Sequence, residues 1–314
     1  FSILFLFFVQ SEANSKSILI KPKQLLDVRS GKMINADILI ESGVIKEVSR
    51  NIPVLIEYEI IELPDTTILP GLMDAHVHLT GNTDLKGHEG ISESSYLATI
   101  YGVKNAKQTL LSGFTTVRNV GASNYSDVAL RDGIEQKAIL GPTLLVSGPP
   151  LGITGGHCDS NILPAEYEYK AQGVADGPWE VRRKVRENKK YGVDLIKYCA
   201  TGGVMSKGTN VNNRQYTLDE MKAIVDEAHT LGMKVAAHAH GLDGIRMAID
   251  AGVDSVEHSS LIDQETVNLA ISNNVFLSMD IYVSDYILGE GAKNGIPEYS
   301  LEKERIVGKK QREN

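Results

Sequence analysis

The chain has 314 residues, of which 42% are apolar and 23% charged, a composition typical of one large globular domain with or without a small second one. Its formal net charge of −8 and its lack of Lys/Arg runs argue against nucleic acid as a partner. Its two cysteines, Cys158 and Cys199, do not make a disulfide framework.

The first residues, FSILFLFFVQSEA, are interpreted as the remnant of a secretory signal peptide over residues 1–13. Residues 1–9 are almost wholly apolar, and Ser11-Glu12-Ala13 is similar to a small-x-small cleavage site. The run is too short to span a bilayer, so we expect a secreted or periplasmic protein without a stable membrane anchor. A buried N-terminal strand is the alternative. Because the charged start of a signal peptide is missing, we expect the chain to be a fragment at this end.

Short strands and turns are predicted next, over residues 14–66. The segments SILIKP, ADILIESGVIKEVS and EYEIIEL alternate or run apolar, and Ser30-Gly31 and Ser42-Gly43 separate them. This pattern predicts a small β-sandwich-like subdomain.

After Pro70, apolar segments typical of buried strands alternate with helical segments. Glycines follow the helices, as C-terminal caps do, and Thr217 with Glu220 forms a predicted capping box. Repeated helix-glycine-strand units indicate right-handed crossovers and a parallel sheet. The predicted strands are 72–76, 115–119, 143–147, 194–198, 234–238, 255–258 and 275–279, and the clearest helices are 96–112, 178–191, 217–231 and 241–251.

Seven such strands predict an α/β fold, a (β/α)8 TIM barrel lacking its last strand, over residues 67–314. The chain stops within SLEKERIVGKKQREN, which is typical of a charged helix that has just begun. Because a barrel without its eighth strand leaves two sheet edges open, we expect truncation at this end as well. An open doubly wound sheet is the alternative, and it is disfavoured because no GxGxxG loop follows the first strand.

Two imidazoles lie at the end of the first barrel strand, in ILPGLMDAHVHLTG. Residues i and i+2 of a strand point the same way, so His76 and His78 are both expected at the C-terminal mouth, where barrel active sites lie. Zinc is commonly bound by neutral imidazole. By itself, however, one HxH pair is a weak signal for a metal site.

A lysine, Lys197, lies near the end of the apolar strand in VDLIKYCATGGV. An unpaired buried ammonium is costly, and burial lowers the pKa of lysine. The structural interpretation is a lysine that reaches the rim or pairs with a carboxylate. The functional interpretation is a neutral Lys197 that captures carbon dioxide as a carbamate, whose two oxygens bridge two metal ions. The Gly-rich loop that follows is interpreted as flexible, with binding of a substrate carboxylate as the alternative.

Histidines end the next two strands as well. KVAAHAHGLDG contains His238 and His240, and VDSVEHSSLID contains Glu257 and His258. Alone, each histidine would more often be a core or rim residue. Four strands that each end in His or Lys converge on one mouth only in a barrel, and this coincidence favours a metal site.

Taken together, these motifs carry a family resemblance. PGLMDAHVHL, GFTTVRNVG, GVDLIKYCATGGVMS and KVAAHAHGLDGIRMAIDAGVDSVEHSSLID resemble the metal-dependent amidohydrolase superfamily. The chain is most similar to the prolidase-like and imidazolonepropionase-related members, including Xaa-Pro dipeptidases. The resemblance runs from about Ser17 to the C-terminus.

The resemblance implies a role for each matching residue. His76 and His78 match the strand-one pair that binds the more buried metal, and Lys197 matches the carboxylated lysine that bridges both metals. His238 and His258 match the histidines of strands five and six that bind the more exposed metal.

Two further histidines match positions near the substrate in related proteins. His240 resembles a residue that contacts substrate, and His157 in ITGGHCD lies on a loop that faces the site. For both, a loop histidine without a role is the alternative.

The family also places an Asp at the end of strand eight, where it binds the buried metal and handles the proton of the attacking water. Asp74, Asp84 and Asp159 do not match that position, so the general-base Asp is interpreted as absent from this chain. The C-terminal strands of the small β domain are missing as well. We therefore expect the chain alone to show little turnover.

The expected function is hydrolysis of an amide or peptide C–N bond in a dipeptide or N-acyl amino acid, including Xaa-Pro, by a metal-activated hydroxide. The expected cofactors are two divalent metal ions, with zinc first and Mn or Co as alternatives. The expected partner is a small-molecule substrate, and homo-oligomer formation stays open. The alternatives are an imidazolonepropionase-like cyclic amidase and a non-catalytic binding barrel or inactive fragment.

Overall fold

The structure is a computed structural model that describes residues 17–82 and 89–314. The predicted signal-peptide remnant and Asp84 lie outside the described residues. Internal contacts divide the chain into a first unit that ends at Gly71 and a second unit, Leu72–Asn314.

The first unit contains one five-stranded mixed sheet. β1 pairs antiparallel with β2 and β3 along one edge and parallel with β5 along the other, and β4 continues the sheet beyond β3. Its strands are β1 Ile18–Asp27, β2 Lys32–Ile34, β3 Asp37–Glu41, β4 Val44–Ser49 and β5 Glu59–Ile68. The β-rich character of this segment is as predicted, but residues 17–71 show a single sheet, so a second sandwich layer is not shown.

The period-2 side-chain pattern explains this sheet, because apolar side chains are buried on both of its faces. Leu39 of β3 packs with Leu19 and Ile52 on one face, and its neighbour Ile38 packs with Leu25 and Ala36 on the other. A register shift in β1 between Pro22 and Gln24 separates Leu19 from Leu25, which would otherwise share a face. Ser42 and Gly43 both have positive φ, of 51° and 76°, as the two central residues of a type I′ hairpin turn require between β3 and β4.

In the second unit, parallel strands alternate with helices. The strands are β6 Leu72–Val77, β7 Phe114–Asn119, β8 Thr143–Val146, β9 Leu195–Cys199, β10 Lys234–Ala239, β11 Ser255–His258 and β12 Phe276–Ser278. The helices are α1 Glu89–Ser92, α2 Ser95–Leu111, α3 Ser126–Glu135, α4 Pro178–Lys190, α5 Leu218–Thr230, α6 Leu242–Ala251, α7 Gln264–Ser272, α8 Ile281–Gly289 and α9 Glu298–Glu313.

The seven strands follow one another in chain order. β6, β7 and β8 form one parallel ladder, and β9 to β12 form another. A parallel bridge between Leu151 and Tyr198 joins the two ladders. The predicted strands and the four clearest helices are present, with each end within one residue of its prediction. No ladder pairs β6 with β12 within the described residues, so closure into a barrel is not shown.

Local signals explain where the helices begin and end. The Thr217 side chain accepts from the Glu220 backbone N–H, and the Glu220 carboxylate accepts from the Thr217 backbone N–H, which is the predicted capping box at the start of α5. Gly252 has a φ of +92° at the end of α6, in the left-handed region that favours glycine at helix ends.

Strand alternation separates the apolar core from the functional face. On β9, Ile196 and Tyr198 are fully buried against helix residues such as Val185 and Ile224. Lys197 and Cys199 therefore point to the opposite face of the sheet.

Within the described residues, no helix is both long enough and apolar enough to cross a membrane.

Candidate active site

One cavity of about 530 Å³ lies on the face of the strands opposite the helices that pack against Ile196, and side chains of α8 and α9 form part of its wall. Six of the eight histidines in the chain line this cavity, although they come from distant parts of the sequence. Its polar and ionisable lining residues are His76, His78, His157, Lys197, His238, His240, His258, Asp280, Ser284, Glu304 and Gln311. The structure therefore brings together all seven site residues named from the sequence. Their roles as ligands or substrate contacts stay predictions.

The HxH pair lies at the end of β6 with both Nδ1 atoms engaged. His76 Nδ1 lies 3.0 Å from Glu257 Oε2, and His78 Nδ1 donates to the Gly121 carbonyl oxygen at 3.1 Å. Gly121 leaves room for this ring, because an added Cβ there would lie 2.9 Å from His78 Cε1. Each Nδ1 is thus used within the protein, and each Nε2 is left to face the cavity.

Lys197 lines the cavity, and the residue is only 3% exposed. Burial lowers the pKa of its ammonium to about 8; the nearby Glu257 charge raises the pKa and the Arg118 charge lowers it further. A neutral fraction of about one tenth is therefore present at pH 7, and the predicted carbamate formation would draw on it.

The second group of imidazoles consists of His238 and His240 on β10 and just after it, and His258 at the end of β11. One nitrogen from each lies within 4.8 Å of the others, close enough to share an ion. His240 Nδ1 contacts Ser260 Oγ at 2.9 Å. Sequence analysis assigned His240 to substrate contact, and the structure places it as close to His238 and His258 as a metal ligand would be.

β11 ends in an unusual backbone conformation. His258 and Ser259 have positive φ, of 70° and 49°, in the left-handed region that non-glycine residues rarely adopt. Such conformations persist where the surrounding structure enforces them, and they cluster at functional sites. Here the turn directs the His258 ring to within 4.6 Å of the His238 ring centroid and 4.8 Å of the His240 ring centroid.

His157 reaches the site from the segment between β8 and α4. Its ring centroid lies 4.2 Å from that of His238, and its Nδ1 lies 2.9 Å from Ser206 Oγ. A Cβ on Gly203 would overlap the His157 ring, so only glycine fits there. The Gly-rich segment after β9 is therefore packed against the site.

The same Gly-rich segment is hydrogen-bonded to α9. Lys303 Nζ donates to the carbonyl oxygens of Gly203 at 2.7 Å, Ser206 at 2.6 Å and Thr209 at 3.2 Å. These contacts argue against the interpretation of the segment as a flexible loop.

Burial keeps the imidazoles of His76, His78, His157, His238 and His240 neutral. It is the largest cause that lowers the pKa of His76 to about 3, of His78 to about 4 and of His157 to about 3, with smaller contributions from neighbouring cations. Burial likewise holds the pKa values of His238 and His240 well below their usual range. Neutral imidazole is the form that binds metal ions.

The structure corrects the interpretation of the cysteines. Cys158 and Cys199 are paired in a disulfide, with 6.0 Å between their Cα atoms. This single crosslink joins the segment that carries His157 to the end of β9. Counting two cysteines that lie 41 residues apart does not reveal the pairing, because it depends on the packing of that segment over the strand.

Sequence analysis assigned no role to several charged residues around the site. Asp280 lies two residues beyond the end of β12; its Oδ2 lies 2.7 Å from His258 Nδ1, and its Oδ1 accepts from Gln311 Nε2 at 3.0 Å. Burial alone would raise the pKa of Asp280, but the hydrogen bonds from His258 and Gln311 lower it below its usual range. The available signal was its position just after a predicted strand, the same signal that identified the histidines.

The ion pair of half-buried Arg118 with buried Glu257 was also missed as part of the site, although both residues lie in the motifs that were singled out. Burial alone would raise the pKa of Glu257; the hydrogen bond from His76 and the charges of Arg118 and Lys197 instead lower it to about 2. Glu257 is therefore an ionised carboxylate beside the first imidazole.

The donor set fits divalent metal ions. Neutral imidazole nitrogens suit zinc and neighbouring transition metals, and the close group of His238, His240 and His258 has the spacing of a shared ion. Contacts from Glu257 to His76 and from Asp280 to His258 match the outer carboxylates that usually orient ligating histidines.

Comparisons with known proteins agree with this geometry. A sequence profile described as the amidohydrolase family matches residues 67–312. A solved structure of a Xaa-Pro dipeptidase with bound methionine in the active site has a TM-score of 0.85 and 34% identity, and the match covers 95% of this chain and 75% of that chain.

Two curated relatives show the same similarity in sequence. Ochratoxinase from Aspergillus niger is 35% identical over 221 residues, which is 64% of this chain and 45% of the relative. Imidazolonepropionase from Fusobacterium nucleatum subsp. nucleatum is 23% identical over 285 residues, 78% of this chain and 63% of the relative. The chain thus spans about half the length of the first of these curated relatives.

Proposed function

The chain belongs to the amidohydrolase family, and from that premise we propose that it acts as a hydrolase on amide C–N bonds of small molecules. The resemblance stated from the sequence is confirmed, and it implies a (β/α)8 barrel-like α/β fold with a β-rich part. The observation that carries the proposal is the convergence of His76, His78, Lys197, His238 and His258 on one cavity.

Members of this family generally use divalent metal ions, and we propose two such ions, preferably zinc, in this cavity. His76 and His78 would hold one ion, His238 and His258 the other, and the carbamate of Lys197 would bridge them. Bound there, the ions would polarise the scissile carbonyl and lower the pKa of the attacking water. The carbamate forms when the neutral Lys197 amine attacks carbon dioxide and releases one proton.

Other side chains of the site have supporting roles in this proposal. Asp280 Oδ2 contacts His258 Nδ1 and its Oδ1 accepts from Gln311 Nε2, so in this proposal Asp280 orients the His258 ring. We assign substrate contacts to His157 and His240, since both line the cavity beside the proposed ligands.

The proposed substrates are dipeptides or N-acyl amino acids, including Xaa-Pro. Apolar side chains that include Val204, Met205 and Val283 line one part of the cavity, so an apolar group on the substrate fits there. The similarity to a Xaa-Pro dipeptidase and to ochratoxinase supports this class. The apolar residues 1–9 support a secreted or periplasmic location as part of the same proposal.

A cyclic amide is the second candidate substrate, and the match to imidazolonepropionase is the observation that favours it. The distinguishing measurement is a panel of Xaa-Pro dipeptides, N-acyl amino acids and imidazolone propionate, assayed after loading with zinc, manganese or cobalt in bicarbonate. Release of the amine identifies the first class, and opening of the ring identifies the second.

The matched variants for this assay are Lys197→Ala and Lys234→Ala. Lys234 is exposed and pairs with Asp254 far from the cavity, so its removal is expected to leave turnover unchanged. Lys197→Ala is expected to abolish turnover and to lose the two-metal site. Two bound metals in Lys197→Ala would show that the bridging role is wrong. Because the chain alone is expected to show little turnover, metal content decides between the classes, and wild-type protein that binds no metal after loading would favour a binding protein.

A further inference from the structure

A buried carboxylate contacts the first imidazole of the site from across the interior. Glu257 lies on β11 and is fully buried, with 0% exposure. Its Oε2 lies 3.0 Å from His76 Nδ1 on β6, while its Oε1 accepts from Arg118 Nη2 on β7 at 2.6 Å. Ser255 Oγ also donates to Oε1, at 2.6 Å. Three strands are thus joined through one carboxylate.

Arg118 is itself held in place. Its Nε donates to the Ala75 carbonyl oxygen at 2.7 Å, and its Nη1 donates to Ser255 Oγ at 3.0 Å. The planar guanidinium therefore contacts the backbone residue just before His76 as well as the carboxylate that contacts the His76 ring. Three nitrogens of the half-buried guanidinium, Nε, Nη1 and Nη2, each donate one hydrogen bond, and this forked geometry fixes the ion pair with buried Glu257.

This arrangement determines which imidazole nitrogen faces the cavity. Glu257 Oε1 already accepts from the Arg118 guanidinium and the Ser255 hydroxyl, so the carboxylate acts as an acceptor, and the 3.0 Å contact at Oε2 is one in which His76 Nδ1 donates. The lone pair is then on Nε2. Carboxylates in this position hold a ligating imidazole in one tautomer and one orientation, and their loss typically weakens metal binding.

We propose that Glu257, held by Arg118, is the positioning residue that keeps His76 in the Nδ1-protonated form with Nε2 directed at the metal site. The inference rests on the proposed function, because it assigns His76 as a ligand. It goes beyond the ligand set, since neither Glu257 nor Arg118 lies among the side chains that line the cavity.

The test is zinc affinity in Glu257→Gln, measured by chelator competition. The amide keeps the volume of the carboxylate but no longer presents two acceptor oxygens to His76 and Arg118 together. We expect zinc affinity to fall by about 10- to 100-fold and the absorption spectrum of the cobalt-substituted protein to shift. A folded Glu257→Gln variant with wild-type zinc affinity and an unchanged cobalt spectrum would overturn the proposal.

Glu227→Gln is the matched control. Glu227 on α5 is also a buried carboxylate, with 7% exposure, and it pairs with Arg182 and Arg186 of α4 away from the cavity. We expect this variant to lose stability without a change in zinc affinity or cobalt spectrum. An equal loss of zinc affinity in both variants would show that the effect is general destabilisation and would also overturn the proposal.

A measurement on the unmodified chain covers the case in which Glu257→Gln does not fold. Nitrogen-15 NMR of the histidine rings in the metal-free protein is expected to show His76 protonated on Nδ1. An Nε2-protonated His76 would overturn the proposal. Neither the ring tautomer nor the zinc affinity depends on hydrolysis, so failure of the substrate panel leaves this result unaffected and the two proposals fail separately.

Discussion

Acid should unfold the metal-free protein at unusually mild pH because its imidazoles are buried in the neutral form. In the unfolded chain a histidine has a pKa of about 6.5. Burial lowers the pKa of His76 to about 3, that of His78 to about 4 and that of His157 to about 3. Below pH 6.5 the unfolded state therefore binds protons that the native state excludes. Stability is unaffected by these groups above that pH and falls as the pH drops from about 6.5 towards 4.

The size of this effect follows from the pKa values. At pH 5 each of the three imidazoles lowers the free energy of unfolding by about 2 kcal/mol. The pH is then about 1.5 units below the pKa of an unfolded histidine, and one unit corresponds to about 1.4 kcal/mol. Together they remove about 6 kcal/mol, which is comparable with the whole stability of a typical domain. His238 and His240 change stability in the same direction.

The assay is urea denaturation with a chelator present, at pH values from 7.5 to 5, on wild type, His157→Gln and Ser206→Ala. Both variants remove the 2.9 Å contact between His157 and Ser206, but only the first removes an imidazole. As the pH falls from 7.5 to 5, the free energy of unfolding of His157→Gln should fall by about 2 kcal/mol less than that of wild type. The free energy of unfolding of Ser206→Ala should fall with pH by the same amount as that of wild type. Parallel curves for all three proteins would refute the reasoning.

Two further predictions concern local stability. Loss of the disulfide in Cys158→Ser should lower the free energy of unfolding by about 4 kcal/mol in non-reducing buffer, since the crosslink closes a loop of 41 residues. In urea denaturation with reductant, the variant and wild type should have equal stability. Equal stability without reductant would contradict the pairing. Thr217→Ala removes one half of the capping box of α5 and should cost about 1 kcal/mol by thermal unfolding, so an unchanged melting temperature would count against the cap.

Much of the second unit follows from local sequence patterns. Buried strands such as β9 and β10 are short apolar runs bounded by glycine, and a capped helix such as α5 carries its own start signal, so neither needs distant contacts to be recognised. The strand period also predicts that Lys197 and His238 face away from the helices that cover Ile196.

Contacts between distant residues could not be predicted in this way. The ion pair of Arg118 with Glu257 spans 139 residues and depends on which strands face one another across the interior. The left-handed backbone at His258 is imposed by its surroundings, because β-strand propensity favours the opposite sign of φ. The Cys158–Cys199 pairing likewise depends on how one connecting segment packs over β9.

The central claim is that His76, His78, Lys197, His238 and His258 hold a shared pair of metal ions. X-ray diffraction at the zinc absorption edge, on crystals of protein loaded with zinc in bicarbonate, tests it most directly. We predict two anomalous peaks per chain, one beside His76 and His78 and the other beside His238 and His258, with density for a carboxylated Lys197 between them. A single peak held by His238, His240 and His258, with Lys197 unmodified and remote from it, would contradict the account.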